Sequence, residues 1–322
     1  MNTMMTANKK LKELADKVAT MLESGNTSAW TQPWKSGGNM PMNALTGKQY
    51  HGINTLSLWV EAEIKGFRTH QWVTFRQKNT LSEKEECEIS VIKGQKGTTC
   101  YRWVTWIPKQ YKKIGEDQYL DQKTGAIGNE MIATRFALKT FAVFNLDQLE
   151  GVPDHYFQSK DQPPPTHEAH DQATYFVDCL GADIRVGGDR AFYNPRQDFI
   201  GVPAISSFFT EDAYWSTMFH ELTHWTGHES RLNRPSHKQW GDNTYAAEEL
   251  VAEFGAAFMC AELGFIEPPT AKHEDYLASW ATQIRKDPDV LMRAARGAEK
   301  AVAYMNKQYQ ATLESDKVAA NS

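Results

Sequence analysis

Apolar residues recur at three- and four-residue spacing over several stretches, and each stretch predicts a helix. Leu11, Leu14, Val18, Met21 and Leu22 form one stripe across residues 7–24, stopped by Gly25. A second helix is expected at about 54–65, closed by Gly66, and a third at 169–180. Tyr214, Met218, Leu222 and Trp225 lie on one face of a segment with Thr210 as N-cap, Glu211 and Asp212 in its first turn and Gly227 as its stop. Leu250, Val251, Phe254 and Phe258 do the same over 245–263. The stretches 274–280 and 288–309 read as helical, and the final ten residues as frayed.

Short apolar runs bounded by turn residues predict strands instead. Residues 89–92 and 98–106 are two, joined by Lys93-Gly94-Gln95-Lys96-Gly97, and 135–145 is a long, mostly buried third. The polar segment 107–130 between them reads as a surface hairpin or insertion, and Trp72 to Lys78 as a short aromatic and basic patch. Strands at 183–186, 191–194 and 198–202 form a small meander ahead of the 210–227 helix. An edge of such a sheet can hold an extended peptide by main-chain pairing. Gln162-Pro163-Pro164-Pro165 favours an extended spacer. The expected fold is therefore α+β in two domains, 1–150 and 171–322, with 151–170 as linker.

Charge sharpens that division. Residues 1–150 carry 20 Lys and Arg against 15 Asp and Glu, whereas 151–322 carry 15 against 25. A basic first half suggests a polyanionic partner. Its aromatics interleave with the basic residues, which suits single-stranded nucleic acid: bases stack on rings while cations follow phosphates. Trp34, Tyr50, Trp72, Arg76 and Lys78 are the candidate contacts. Four cysteines (Cys87, Cys100, Cys179, Cys260) without C-x-x-C spacing read as reduced thiols. With no signal-peptide layout and no run long enough to span a membrane, the chain is expected in the cytoplasm, away from membranes.

The 210–227 helix carries His220-Glu221-Leu222-Thr223-His224, an H-E-x-x-H pattern. One turn apart on a helix, His220 and His224 can reach one metal ion, and Glu221 beside them can take a proton from a water activated by it. A catalytic zinc site takes three protein ligands and leaves a position open. Glu249, on the following helix, is the expected third ligand. Glu253, a turn further on, is expected to hydrogen-bond a ligand imidazole. The alternative H-E-x-x-H-x-x-G-x-x-H pattern fails, since its third histidine would fall at Ser230 and His228 comes two residues early. Tyr245 and His228 are candidates for steadying an oxyanion or contacting substrate.

Two regions resemble one family, the ArdC antirestriction proteins, whose architecture is shared with the N-terminal part of TraC-type plasmid primases. The N-terminal residues that carry the resemblance are Trp30 with Pro33-Trp34, Pro41-x-Asn43, Thr46-Gly47, Tyr50-x-Gly52-Ile53-Asn54, Trp72-x-Thr74-Phe75-x-Gln77 and Lys93-Gly94-x-Lys96-Gly97. The C-terminal ones are Phe192-Tyr193-Asn194-Pro195, the stretch from His220 to Arg231, and Tyr245-Ala246-x-Glu248-Glu249-Leu250-Val251-Ala252-Glu253. Leu81 to Glu88 departs from the pattern and reads as an insertion. The resemblance implies a single-stranded-DNA-binding domain followed by a zincin-like metallopeptidase domain, linked to protecting incoming plasmid or phage DNA from restriction. The expectation is a Zn2+ peptidase (Mn2+ being the other candidate ion) acting on a DNA-bound protein such as a restriction enzyme. The other reading is a DNA-coating or enzyme-occluding protein whose metal site is structural or vestigial.

Overall fold

The computed structural model describes residues 2–24, 40–157, 167–234, 243–265 and 274–320. The loop bearing Trp30 and Trp34 and the run Gln162 to Pro165 lie outside these residues.

Helix α1 (Asn2–Glu23) leads to β1 (Met42–Asn43), α2 (Ile53–Lys65), β2 (Gln71–Thr74), α3 (Phe75–Lys84), β3 (Ser90–Val91) and β4 (Thr98–Trp106). A three-stranded meander of β5 (Tyr111–Gly115), β6 (Gln118–Asp121) and β7 (Ile127–Gly128) follows, then α4 (Glu130–Ala133), β8 (Arg135–Asn145) and β9 (Leu149–Glu150). The main sheet of this half has the order β1-β2-β8-β4, parallel only between β1 and β2.

Three expectations need correction here. Strand β3 does not form a hairpin with β4 across the Lys93–Gly97 turn; it pairs with β9 instead, Ser90 opposite Glu150 and Val91 opposite Leu149. The patch at 72–78 is a strand end followed by a helix. Thr74 caps that helix and Gln77 returns the bond in a capping box, and α3 runs on to Lys84, over the first half of the segment read as an insertion. Leu81 is fully buried there. Strand β8 is buried only at Leu138 and toward its inner end at Val143 and Asn145, while its outer end, Arg135 and Phe136, is exposed where it continues with β4 as a two-stranded arm.

The second half contains α5 (His167–Cys179), β10 (Asp183–Val186), β11 (Phe192–Asn194), β12 (Phe199–Val202), α6 (Glu211–Trp225), α7 (Asn243–Leu263), α8 (Glu274–Lys286) and α9 (Asp289–Ala320). Its three strands lie in the order β10-β12-β11 with β10 parallel to β12, so the unit is not a simple meander. Helix α9 runs through the segment expected to fray.

The apolar core is continuous between the halves. Leu11, Leu14 and Val18 of α1 share one buried cluster with Phe219 and Leu222 of α6, Phe254 and Phe258 of α7, and Ile284 of α8. The Trp59 ring of α2 lies 5.6 Å from that of Phe258. Two small residues set how closely the metal-site helices approach. A Cβ on Gly255 of α7 would fall 2.4 Å from Thr223 Oγ1 of α6, and one on Gly297 of α9 would fall 2.9 Å from Val251 of α7. A side chain at either position would force a neighbour to shift, most severely at Gly255, where three Thr223 atoms lie within 3.0 Å.

Candidate metal centre

Thr210 accepts a hydrogen bond from Ala213 N and starts α6 as the sequence predicts. Tyr214, Met218, Leu222 and Trp225 are buried beneath it. That packing fixes the rotation of the helix and turns His220 and His224 toward α7. Their Nε2 atoms lie 3.2 Å apart. Glu249 reaches both, with Oε2 3.6 Å from His220 Nε2 and Oε1 3.5 Å from His224 Nε2. Among the described residues these three alone form a set of metal-ligating side chains, their donor atoms all within 4.8 Å of one another.

The donor set fits a small divalent ion. Two ligands each about 2.0–2.1 Å from a tetrahedral ion lie about 3.3–3.4 Å from one another, and the three separations bracket that value. The outer nitrogen of each imidazole faces a carboxylate. Glu253 Oε1 is 3.5 Å from His220 Nδ1, and Glu248 Oε1 is 3.4 Å from His224 Nδ1. A carboxylate on Nδ1 leaves the Nε2 lone pair free to ligate.

Burial opposes a charge on His220, but Glu249, Glu253 and Glu221 outweigh it and push its pKa up to about 9. The site is thus a concentrated negative field that favours a cation. Burial likewise works against charge on Glu248, yet His224 and Arg234 hold its carboxyl below the ordinary range. Glu221 is 5% exposed and stands beside the ligands without belonging to the converging set.

Sequence reasoning missed Arg234. Its guanidinium grips Glu248 (Nη2–Oε1 2.8 Å), donates to Thr226 Oγ1 at 2.7 Å, and caps α6 through Thr223 O at 2.5 Å. Arg231 behaves similarly, donating to Trp225 O at 2.6 Å, lying 4.0 Å over the Trp225 ring and pairing with Asp198. Asp198 also accepts from Tyr193 at 2.8 Å. The chain after Gly227 is therefore stapled to α6 by two arginines, which no periodic pattern in the sequence signals. His228 belongs to this loop: its Nδ1 is 2.8 Å from Ser230 Oγ and 3.9 Å from Asp198. It is not among the converging ligands. The side chain of Tyr245 lies outside the described positions.

Among the described residues, the DNA candidates do not form one surface. Trp72 is fully buried, and Lys78 is buried with its Nζ donating to Ile89 O at 2.6 Å, so neither is available to DNA. Both face inward because Trp72 sits mid-sheet and Lys78 lies on the core side of α3. Tyr50 is half-buried near Asn43, and Arg76 is exposed. Several N-terminal motif residues are architectural. Asn43 Oδ1 accepts from the 45 and 46 amides, Gln77 accepts from Asn43 Nδ2 at 2.9 Å, and Asn54 brackets the backbone of Tyr101. The rings of the first half that face solvent include Phe75 (58% exposed) beside Arg76 on α3, and Trp103 (57%), Trp106 (47%) and Phe136 (62%) on the β4–β8 arm, beside exposed Arg102, Arg135 and Lys139.

Comparison with known proteins finds a match in each half. Residues 8–144 match the family model described as the N-terminal domain of anti-restriction factor ArdC, and residues 171–297 match that of a zincin-like metallopeptidase. Two Escherichia coli proteins named DNA primase TraC are each 34% identical over 92% of this chain, but the chain spans only 20% and 27% of their lengths. A Sinorhizobium fredii protein, y4eC, is 29% identical over 92% of this chain and 91% of its own. The crystal structure of the antirestriction protein ArdC from plasmid R388, metal-free, aligns with a TM-score of 0.73 at 34% identity, covering 93% of this chain and 97% of that one. Its Mn(II)-bound form aligns with a TM-score of 0.69 at 33% identity and the same coverage. With both halves matched and a solved relative covered almost end to end, the chain belongs to the ArdC antirestriction family.

Proposed function

We propose that this protein is a DNA-associated metallopeptidase: its first half binds single-stranded DNA and its second half cleaves a protein held nearby. The observation that carries the reading is the convergence of His220, His224 and Glu249 next to a buried Glu221 that does not join them. A structural metal site uses every position for protein ligands and has no need of a base.

His220, His224 and Glu249 would hold the ion, for which His2Glu favours zinc. Bound there, the ion supplies Lewis acidity and lowers the pKa of water toward about 7. Glu253 and Glu248 orient the two imidazoles. Glu221 takes the proton from the attacking water and returns it to the leaving amine. Its low exposure keeps bulk water from competing for that proton. His228 and Tyr245, in the chain that follows α6 and at the start of α7, are the candidates for steadying the oxyanion. The R388 relative has been solved metal-free with this same fold. A fold that stands without its ion argues for a chemical role for the ion over a folding role.

Basic charge in the first half and the exposed rings of the β4–β8 arm support the DNA reading. An antirestriction assay in cells decides how the two activities combine. Glu221→Gln should abolish protection of incoming DNA while leaving single-stranded-DNA affinity intact. Protection that survives Glu221→Gln but disappears with DNA binding would make the chain an occluding protein instead.

A further inference from the structure

Between the halves lies a cleft of about 420 Å3, near the lower end of the size range of small-molecule sites. Its walls come from three places: the turn and helix start around Tyr50 and Gly52, the strands β4 and β8 at Arg102, Trp103 and Leu138, and α9 at Met292, Arg296 and Glu299. Three features point to its occupant. Trp103 stands 57% exposed while its strand neighbour Tyr101 and its cross-strand partner Leu138 are buried, so a large ring is left exposed at the cleft by the β4–β8 pair. Arg296 is exposed, and among the described residues it closes on no carboxylate. By contrast Arg68, Arg185, Arg285 and Arg293 each close on one. Glu299 is the one acid in the lining, so part of the cleft is poor for phosphate and suited to the N–H edge of a base.

Gly52 makes room for that carboxylate. It sits at φ +57°, and a Cβ there would fall 2.8 Å from Glu299 Oε2. Helix α9 then continues to Gly297, which packs on Val251 between the metal-site residues Glu249 and Glu253 of α7. One helix therefore touches both the cleft and the element that presents the third ligand.

We propose that this cleft is a nucleotide subsite shared by the two halves: a base of single-stranded DNA stacks on Trp103 while a flanking phosphate pairs with Arg296. This rests on the single-stranded-DNA reading above and adds to it that the C-terminal half supplies a DNA contact. Residues 1–150 alone would then lack part of the binding site.

The test is fluorescence anisotropy of the full-length protein with a labelled single strand of about 16 nucleotides, titrated at several salt concentrations. Trp103→Ala should weaken binding about ten-fold through the lost stack. Arg296→Glu should weaken it comparably and flatten the logarithmic salt slope by about 0.7, the value of one lost phosphate contact. Lys300→Glu, an equal charge reversal on the same helix but outside the lining, should leave the slope unchanged. Melting temperature and metal content verify that each variant is folded; Arg296→Ala, expected to flatten the slope in the same direction, replaces Arg296→Glu if that is not, and Trp103→Leu replaces Trp103→Ala. If Arg296→Glu behaves like Lys300→Glu, or Trp103→Ala binds as tightly as the unmodified protein, the subsite is overturned while the DNA reading stands. If the unmodified protein does not bind the strand, the DNA reading falls and the subsite with it.

Discussion

The metal centre and the β4–β8 arm are built on opposite plans. At the centre, four side chains are held by packing on several sides, and each ligand imidazole has a carboxylate behind it. On the arm, rings and cations stand out from a two-stranded extension with little behind them. The difference suits the roles proposed for the two regions. Binding one small ion and moving one proton requires atoms fixed to a fraction of an ångström. Gripping a flexible strand requires a charged, aromatic surface that tolerates many poses. Single changes should therefore be severe at the first and graded at the second.

The largest expected effect is loss of the ion. His220→Ala, His224→Ala and Glu249→Ala should each reduce metal from about one ion per chain to near none, measured by elemental analysis after dialysis. Retention of metal in Glu249→Ala with loss in Glu248→Ala would exchange the roles of those two acids.

Next comes the helix contact. Gly255→Ala places a methyl against Thr223 Oγ1, which is itself committed to Phe219 O at 2.7 Å and cannot swing away freely. Overpacking of this kind costs about 1–3 kcal/mol. Thermal unfolding should show that loss, and metal affinity should fall with it because His220 and Glu249 are pushed apart. An unchanged melting temperature would show that the two helices are less tightly matched than their spacing indicates.

A smaller effect concerns pH. In the metal-free protein the His220 pKa is raised from 6.5 to about 9. The stability it contributes is therefore fully present below about 6.5 and is lost as pH rises through about 9. Metal must displace that proton, so metal affinity should climb over the same window. The melting temperature of metal-free protein between pH 6 and 10 checks the sign, and Glu253→Gln should shrink the effect.

The smallest effect is expected at Arg285, which joins α8 to Glu23 and Asp16 of α1 at the surface. Exposed pairs of this sort contribute next to nothing net. Arg285→Ala should leave the melting temperature close to that of the unmodified protein, because the shared core and not these charges holds the halves together.

The two regions also differed in how legible they were. His220, His224, Glu249 and Glu253 could be brought together from sequence because both helices announce themselves by periodicity, and one-turn spacing dictates facing. Arg234 and Arg231 could not, since a loop carries no period and the partners of each arginine are set only by tertiary contact. Trp72 and Lys78 misled for the opposite reason. Composition records that a ring or a cation is present, but which side of a sheet it faces depends on strand partners, and the pairing of β2 with β8 across 70 residues is invisible locally. Thr74 and Gln77 spell a capping box, and the hidden helix α3 could have been found from it.

The central claim is that the converged side chains form a working peptidase with Glu221 as its base. The direct measurement is cleavage of a protein bound to single-stranded DNA, comparing unmodified protein with Glu221→Gln at matched metal content. The account predicts cleavage by the unmodified protein and at least about a hundred-fold slower cleavage by the variant, with metal occupancy and DNA affinity unchanged. Equal cleavage by both, or none by fully metal-loaded unmodified protein, would contradict it.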